Sequence, residues 1–414
     1  MRPRLAFSYL FLVLLLAGMT NCTPSSDESA DTGLDPALLE RARDLTQRYI
    51  IVDGHIDVPY RMVEYEEDIT QATAGGDFDY PRAKAGGLNA PFMSIYIPAE
   101  RQAIDGASKA LADSLIDMVE GFVERAPDKY AIATSVDDVR RHKDEGLISL
   151  PMGMENGAGI EDDLANLQHF YDRGIRYITL THALDNRICD SSYDTTRTWN
   201  GLSPFGEQVV DEMNRLGIII DISHLTDSTI FQVLRRSKAP TFASHSSPRH
   251  FTPGWERNMS DDLIKAMAEG DGVIMINFGS SFLRGEYQEQ GNALGQRIEQ
   301  YLADNNLSPG SAEGAAYREQ QRKTTPIGTL HDVADQIDHV VALVGVEHVG
   351  LGSDFDGVTA LPAGLQDVSE YPNLVAELLH RGYSDEDVEK ILGGNALRVW
   401  AGVERVAEAL QQGE

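Results

Sequence analysis

The sequence contains very little cysteine: Cys22 and Cys189 are the only two among its 414 residues. This excludes the disulfide framework that holds many small secreted domains together. If Cys22 carries a lipid, no intramolecular disulfide remains, and apolar packing and any bound metal must stabilise the fold. Hydrophobic residues make up 42% of the chain and glycine occurs 37 times, a composition typical of a folded, enzyme-sized protein.

Positive charge is also scarce. Lysine and arginine number 35 against 65 aspartates and glutamates, so the formal net charge is −30. A chain this acidic repels phosphate backbones and anionic lipid surfaces, which excludes nucleic acid as an expected partner and makes direct binding to such a membrane surface unfavourable. The acidic excess is best explained as a solubilising surface.

Long apolar runs are scarce as well, and the one near the N-terminus, at 6–19, is too short to span a bilayer comfortably. Arg2 and Arg4 precede it, which predicts a signal peptide over residues 1–21. Small polar residues follow, and Cys22 lies where a bacterial lipoprotein signal is cleaved and lipidated. Asn21 stands where a smaller residue is usual, so plain secretion remains the alternative.

These N-terminal features predict an exported protein of the bacterial cell envelope or periplasm, held at the membrane only through a lipid on Cys22. Residues 22–45 are expected to form a polar tether and lead-in to the folded domain.

The rest of the sequence repeats one pattern, a short apolar run that ends in a polar residue and is followed by a helical stretch. The predicted strands are 50–57, 90–97, 147–155, 177–182, 218–224, 240–245, 272–278 and 348–354. Helix-like segments such as 162–174, 204–217 and 260–270 show apolar residues at three-to-four spacing and end at glycine. Eight alternating units predict an α/β protein, a (β/α)8 TIM barrel over residues 46–402.

Two longer stretches interrupt this rhythm and are expected to be helical insertions, at 98–146 and at 279–330. Closing helices are predicted near the C-terminus from Pro372 at a helix start, a Ser384–Asp387 capping pattern and a Gly393–Gly394 stop. Residues 403–414 are predicted to form a C-terminal tail.

A barrel of this kind carries its active-site groups at the carboxyl ends of the strands. Histidines and carboxylates collect at these positions of the sequence: His55, Asp57, Glu155, His182, His224, His245 and Asp354. Surface residues scattered at random would not concentrate there, so these side chains are the candidates for an active site.

The first pair, His55 and Asp57, lies two apart on a strand and therefore points to one side, where an imidazole and a carboxylate suit zinc or a similar divalent metal. Glu155, His224 and His245 are natural further ligands. Five ligands are too many for one catalytic zinc with a water, but they suit two ions that share a bridging carboxylate. Such a pair, ~3.5–4 Å apart, can hold a bridging hydroxide and polarise a carbonyl.

Each of these residues also has a structural explanation when it is taken alone. A His-x-Asp pair is often a hydrogen-bonded turn, a glutamate can lie at a helix N-terminus, and a buried histidine can be a satisfied core residue. Their joint occurrence at successive strand ends favours the metal site. The histidines outside this set are expected to be structural, with His142, His169 and His380 facing solvent from helices.

The ordered set of motifs resembles the membrane (renal) dipeptidase family, zinc peptidases with an amidohydrolase-like barrel. The similarity runs from about residue 46 to about 402. The matching stretches are "DGHIDVPYRM", "GMENG", "YITLTH", "GLSPFGEQVVDEMNRLGIIIDISH", "PTFASHSS", "RNMSDD" and "VGLGSDFDG".

This resemblance implies two Zn2+ ions per subunit, with other divalent ions as alternatives, and a dipeptide substrate. It places His55 and Asp57 on one ion, Glu155 between the ions, and His224 and His245 on the other. His182 would bind the carbonyl oxygen and the tetrahedral intermediate, and Asp354 would be the acid/base.

The same resemblance implies that Arg257 binds the free C-terminal carboxylate of the substrate through a charge-assisted fork. Taken alone, Arg257 would be read as a surface ion pair with Asp261 or Asp262. Tyr60 stands where animal relatives have tryptophan, so the pocket wall is altered but remains aromatic. A homodimer is a further expectation by analogy.

Three functions remain open at the level of sequence. The leading one is an exported metallo-dipeptidase that uses a metal-bridging hydroxide. A hydrolase of N-acyl-amino acids or cyclic amides would use the same metals. A non-catalytic peptide-binding lipoprotein would need neither the full ligand set nor Asp354.

Overall fold

The computed structural model describes residues 34–413. The predicted signal peptide, Cys22 and residues 22–33 of the predicted tether lie outside these residues. Within the described part, no helix combines the length and apolar character needed to cross a membrane.

The described residues form ten β-strands. They are β1 (Ile51–Ile56), β2 (Leu88–Tyr96), β3 (Tyr130–Ile132), β4 (Ile148–Leu150), β5 (Met152–Glu155), β6 (Ile175–Thr179), β7 (Ile219–Asp221), β8 (Phe242–Ser246), β9 (Val273–Ile276) and β10 (Val349–Leu351). Eight parallel strands close into a barrel in the order β1-β10-β9-β8-β7-β6-β5-β2, which confirms the predicted (β/α)8 architecture. The other two, β3 and β4, pair with each other outside the barrel.

The single strand predicted over 147–155 is two strands in the structure. Pro151 separates them, and because proline has no N–H to donate, it interrupts the ladder at this point. Only the second half, β5, joins the barrel, where it lies between β2 and β6.

Helices follow most barrel strands and cover the outside of the barrel. They are α1 (Pro36–Arg48), α2 (Val58–Glu64), α3 (Tyr80–Gly86), α4 (Ala107–Arg125), α5 (Val136–Glu145), α6 (Ala165–Asp172), α7 (Pro204–Leu216), α8 (Asp227–Arg236), α9 (Asp261–Glu269), α10 (Ser280–Leu283), α11 (Gly285–Asp304), α12 (Ala312–Thr324), α13 (Leu330–Val344), α14 (Tyr371–His380), α15 (Asp385–Glu389) and α16 (Asn395–Gln412). Helix α7 shows how the local sequence fixes where a helix begins and ends. Ser203 caps its first turn by accepting a hydrogen bond from the Gly206 N–H, and Pro204 occupies the first helical position. Gly217 ends the helix at φ 86°.

The predicted helix stop at Gly393–Gly394 is wrong. A π-helical turn over Lys390–Gly394 leads directly into α16. Glycine is needed here for a close approach, since a Cβ on Gly393 would lie 2.5 Å from the Ile50 carbonyl oxygen. The ends of the domain also differ from expectation: α1 already begins at Pro36, and α16 continues through the predicted tail to Gln412, with Val403 and Ala407 buried.

An aromatic cluster fills the barrel below the candidate site. Phe92, Tyr177 and Phe242 pack together, and Trp400 of α16 joins them with its ring centroid 5.4 Å from that of Phe92. Burying each large apolar side chain contributes on the order of 2 kcal/mol. These residues provide a rigid floor for the side chains at the carboxyl ends of the strands.

The predicted insertion at 279–330 is helical and contains α10, α11 and α12. It has a small core of its own, in which Leu294, Ile298 and Leu302 are buried and Tyr301 stacks on Tyr317. Helix α12 is joined to the barrel by a buried ion pair between Arg322 and Asp77, which lies between α2 and α3.

Candidate active site

Glu155, the last residue of β5, lies at the centre of the candidate site. Its two carboxylate oxygens face different groups. Oε2 lies 3.5 Å from His55 Nε2, whereas Oε1 lies 3.0 Å from His224 Nε2 and 3.3 Å from His245 Nε2. The side chain is 5% exposed. The structure therefore brings three predicted site residues, from the ends of three other strands, into contact with this one carboxylate.

Asp57 joins this group beside His55. The residue follows β1 directly, and its Oδ2 lies 3.3 Å from His55 Nε2. Its Oδ1 is buried and makes no hydrogen bond to the described residues, and the same holds for His55 Nε2. Buried polar atoms without hydrogen bonds are costly, and a metal ion bound between these carboxylates and His55 would stabilise both atoms.

The histidines are oriented by contacts that sequence reasoning missed. His55 Nδ1 lies 2.7 Å from the Tyr177 hydroxyl, and His245 Nδ1 lies 2.7 Å from Ser244 Oγ, which in turn donates to Asp221. Each contact leaves Nε2 directed toward Glu155. Outer contacts of this kind orient metal-binding imidazoles. A buried polar residue inside an apolar strand, such as Asp221 in "IIIDISH", is the signal that could have indicated this role.

The charge states of the cluster also suit a metal. Burial opposes ionisation of Glu155, but His55, His182 and hydrogen bonds hold its pKa well below its usual range. Burial lowers the pKa of His245 to about 3, and with Arg257 it lowers the pKa of His224 well below its usual value. An ionised carboxylate and neutral imidazoles are the forms that bind divalent metals.

The pKa of His55 shifts in the opposite direction to those of His224 and His245. Burial lowers its pKa, but Tyr177, Asp57 and Glu155 together outweigh burial and raise the pKa well above the usual value. This position between carboxylates favours positive charge, which a divalent ion supplies. The buried unpaired atoms and the nitrogen and oxygen donors both fit the metal ions predicted from the sequence.

Asp354 lies beside His55 and Asp57, with ligand atoms of the three residues within 4.8 Å of one another. Its Oδ2 accepts a hydrogen bond of 2.7 Å from Asn277 Nδ2, a contact that the sequence did not reveal. Burial raises the pKa of Asp354 to about 7, and the charges of Asp57 and Glu155 add to this effect. A carboxyl group with such a pKa can both take and give a proton near neutral pH.

Three residues at the strand ends adopt left-handed backbone conformations. Asn156 follows Glu155 at φ 80°, His224 has φ 69° and Asp354 has φ 62°. Non-glycine residues with positive φ cost free energy and are concentrated at functional sites. Gly357 adds a steric requirement, because a Cβ there would lie 2.2 Å from Asp57 Oδ2 and 2.5 Å from Asp354 Oδ1.

His182 and Tyr60 line the mouth of the site. His182 Nε2 lies 3.6 Å from Glu155 Oε1, and its ring centroid is 4.2 Å from that of His224. Tyr96, on β2, packs edge-on against both His182 and Tyr60, with centroid distances of 4.9 Å. Distance alone therefore does not separate His182 from the metal-ligand candidates.

Arg257 is buried, which contradicts the surface ion pair considered for it. Its guanidinium donates to the His245 carbonyl oxygen at 2.9 Å and to Ser246 Oγ at 2.9 Å, and it lies over the Phe282 ring. It forms no salt bridge within residues 34–413, and its Nε is unpaired there. A buried guanidinium without a carboxylate partner is a suitable binding group for an anionic ligand.

A cavity of about 900 Å3 opens above these residues. The barrel contributes Tyr60, Tyr96 and His182 to its lining, and the insertion contributes Gln288 of α11 and Arg318 of α12. The insertion therefore forms a wall of the cavity.

Two histidines outside the site can be compared with expectation. His142 is buried, not solvent-facing as predicted, and its Nδ1 lies 3.0 Å from Ser149 Oγ. His380 is exposed as predicted.

A closed parallel barrel with histidines and carboxylates converging at the carboxyl ends of its strands is the architecture of a metal-dependent barrel hydrolase. The family model described as membrane dipeptidase (peptidase family M19) matches residues 39–414. The chain belongs to this family and is a metallo-dipeptidase.

Known relatives cover most of the chain. It is 34% identical over 391 residues to dipeptidase aclJ of Aspergillus oryzae, covering 91% of this chain and 83% of that protein. The crystal structure of the probable dipeptidase PvdM from Pseudomonas aeruginosa is 30% identical with a TM-score of 0.76, covering 90% of this chain and 99% of that one. A metallopeptidase from Rhodobacter sphaeroides, solved with a phosphinate mimic of the dipeptide L-Ala-D-Ala, is 25% identical with a TM-score of 0.70. That match covers 86% of this chain and 99% of the other.

Proposed function

We propose that this protein is an exported, zinc-dependent dipeptidase that hydrolyses dipeptides with a free C-terminal carboxylate. The observation that carries the proposal is the position of Glu155, whose Oε2 faces His55 while its Oε1 faces His224 and His245. That arrangement suits two ions bridged by one carboxylate.

In this proposal, His55, Asp57 and Glu155 would hold one zinc ion, and His224, His245 and Glu155 would hold the other. An ion there would provide a partner for His55 Nε2 and Asp57 Oδ1, which make no hydrogen bond to the described residues. When bound, the two ions supply the nucleophile from water and polarise the scissile carbonyl.

The protein's own groups complete the reaction. Asp354 takes a proton from the attacking water and delivers it to the leaving amine, and its pKa of about 7 suits both steps. His182 lies beside Glu155 at the cavity and stabilises the oxygen of the tetrahedral intermediate. The aromatic side chain of Tyr60 forms the adjacent substrate wall.

Arg257 selects the substrate through its free C-terminal carboxylate. Its unpaired Nε and its lack of a salt bridge within the described residues leave the charge available for a carboxylate. Because the carboxylate would be bound next to the scissile bond, dipeptides are favoured over longer chains.

The stereochemical range is proposed from the substrates expected of the family and from the dipeptide mimic bound by the Rhodobacter sphaeroides relative. We expect cleavage of simple L,L-dipeptides and of dipeptides with a C-terminal D-residue. A panel of such dipeptides, each also offered with a blocked N-terminus or with a C-terminal amide, tests this directly.

Cleavage of the free dipeptides and at least about tenfold slower cleavage of the amides would support the role of Arg257. Faster hydrolysis of the N-blocked compounds would instead identify an N-acyl-amino-acid hydrolase. Full activity after metal is stripped to trace levels would contradict the metal-dependent mechanism.

The site of action is proposed from the N-terminal sequence alone. The signal-like segment 1–21 and Cys22 suit export and lipid anchoring in the bacterial cell envelope. A Cys22→Ser variant is expected to move from the membrane fraction to the soluble fraction and to lose the added lipid mass. Membrane association equal to the unaltered protein would contradict the anchor.

A further inference from the structure

A second group of potential metal ligands lies away from the catalytic residues. His250, Asp261 and His339 each offer one donor atom, and these three atoms lie within 4.8 Å of one another. None of the three belongs to the proposed catalytic ligand set. They come from different elements: His250 from the short 310 helix after β8, Asp261 from the first turn of α9, and His339 from α13.

The geometry of the group is partly formed already. His339 Nε2 lies 2.9 Å from Asp261 Oδ1, and the His250 ring stacks on the His339 ring with a centroid distance of 4.4 Å. Tetrahedral zinc with ligand bonds near 2.1 Å keeps its donors roughly 3.4 Å apart. His250 is exposed, so its ring is free to rotate out of this stack and direct a nitrogen toward an ion.

The types of donor atom determine which metal ion this group of side chains would bind. Two imidazoles and one carboxylate are a common three-ligand set for zinc, and they bind calcium or magnesium poorly because those ions prefer oxygen ligands. The remaining coordination positions face solvent, since the Asp261 side chain is 41% exposed, and water can fill them.

We infer that His250, Asp261 and His339 form a peripheral binding site for a zinc-like divalent ion, separate from the catalytic pair. Binding there would join α9, α13 and the loop between β8 and α9. That loop is closed on itself by hydrogen bonds from the Met259 N–H to the Ser247 carbonyl and from the Arg249 N–H to the Met259 carbonyl. It also carries Arg257, so an ion at this site would brace the segment that positions the proposed carboxylate-binding group.

The inference does not depend on the proposed catalytic mechanism and is tested by metal binding. The protein is loaded with zinc, desalted to remove weakly held metal, and titrated with zinc chloride by calorimetry. One further saturable equivalent is expected for the unaltered protein, together with a rise in its unfolding temperature because ligands that bind the folded state stabilise it.

Two variants remove ligands of the peripheral site. His250→Ala deletes an exposed ligand, and His339→Gln keeps a hydrogen-bond donor for Asp261 while removing the imidazole. Both are expected to bind the further equivalent at least about tenfold more weakly, while the zinc retained after desalting stays unchanged. His380→Ala, at an exposed histidine outside the cluster, is the matched control and should bind as the unaltered protein does.

Absence of a further equivalent in the unaltered protein would overturn the inference. Binding of that equivalent by His250→Ala and His339→Gln with unchanged affinity would overturn it equally, because the ion would then lie elsewhere.

Discussion

At the scale of single residues, the environment of Asp354 favours the proposed role of this carboxyl group in proton transfer over a role as a metal ligand. It is buried, has a pKa raised to about 7, and accepts a hydrogen bond from Asn277. It nevertheless lies close enough to His55 and Asp57 to be a ligand. An experiment that measures turnover and metal content together separates the two roles.

Asp354→Asn is expected to lower kcat by about 10^2- to 10^4-fold, the usual contribution of a positioned acid/base, and to leave the zinc content unchanged. Steady-state kinetics and elemental analysis of the same sample measure both quantities. Loss of one zinc equivalent would make Asp354 a ligand, and undiminished turnover would remove it from the mechanism.

The hydrogen bond from Asn277 gives a prediction on pH dependence. Burial raises the pKa of Asp354, and the Asn277 bond opposes that rise. Removing the donor in Asn277→Ala therefore raises the pKa further. As the proposed base, Asp354 must be ionised in the free enzyme, so the acidic limb of the kcat/KM profile should move to higher pH, with a larger loss of activity at pH 6 than at pH 8.

Ser281→Ala is the matched control for this experiment, because Ser281 lines the same cavity without being hydrogen-bonded to Asp354. Its profile should keep the limb of the unaltered enzyme. If Asn277→Ala lowers kcat/KM equally at every pH and leaves the acidic limb at the same pH, Asn277 does not act through Asp354.

At the scale of secondary-structure elements, a buried ion network connects the insertion to the loop that carries Asp354. Arg322 of α12 pairs with Asp77 at 2.6 Å, and the Asp77 N–H donates to Asp356 at 2.7 Å. Arg61 of α2 pairs with the same Asp356 at 3.0 Å. Asp356 lies only two residues after Asp354, so the network connects α12 to the proposed acid/base.

Arg322→Met is expected to lower the free energy of unfolding by about 3 kcal/mol, because it leaves the buried Asp77 carboxylate without its partner. Chemical denaturation measures this loss. Arg318→Met is the matched control on the same helix, since its pair with Glu64 is more exposed and should contribute less than ~1 kcal/mol. Equal losses for the two variants would contradict a special role of the buried network.

Glu370, at the start of α14, gives a prediction on stability. Burial raises its pKa to about 7, and Asp367 adds to the shift. Because the folded state binds this proton more tightly than the unfolded state, its contribution to stability is complete at low pH and is lost as pH rises through about 7.

Glu370→Gln keeps the shape and an oxygen acceptor but cannot ionise. Its unfolding temperature relative to the unaltered protein should therefore be higher at pH 8 than at pH 5. Thermal unfolding monitored by circular dichroism at the two pH values measures this difference. An equal difference at both pH values would show that Glu370 does not titrate as its burial indicates.

At the scale of the whole molecule, the sequence was sufficient to predict the barrel and the residues that converge at one end of it. Apolar runs that end in His55, Glu155 or His224 indicate both a barrel strand and a site residue. A parallel strand buried on both faces is continuously apolar, and the active-site groups of such a barrel lie at the carboxyl ends of its strands. The convergence of residues a hundred positions apart then follows from the topology.

Other features were not predictable from local pattern. Tyr177 and Asp221 lie in apolar strands, and Asn277 directly follows one. Only the closed barrel shows that Tyr177 reaches His55, that Asp221 reaches His245 through Ser244, and that Asn277 reaches Asp354. Gly393 has the sequence appearance of a helix stop, but its role is to allow close approach to Ile50. The buried state of Arg257 likewise depends on the folding of the loop after β8 over Phe282.

The central claim is that one carboxylate, Glu155, joins two metal ions held by four further side chains. Anomalous scattering at the zinc absorption edge, from crystals of the zinc-loaded and desalted protein, tests it most directly. Two peaks ~3.5–4 Å apart, one beside each oxygen of Glu155, are predicted. A single peak in this region, or peaks that do not contact Glu155, would contradict the account.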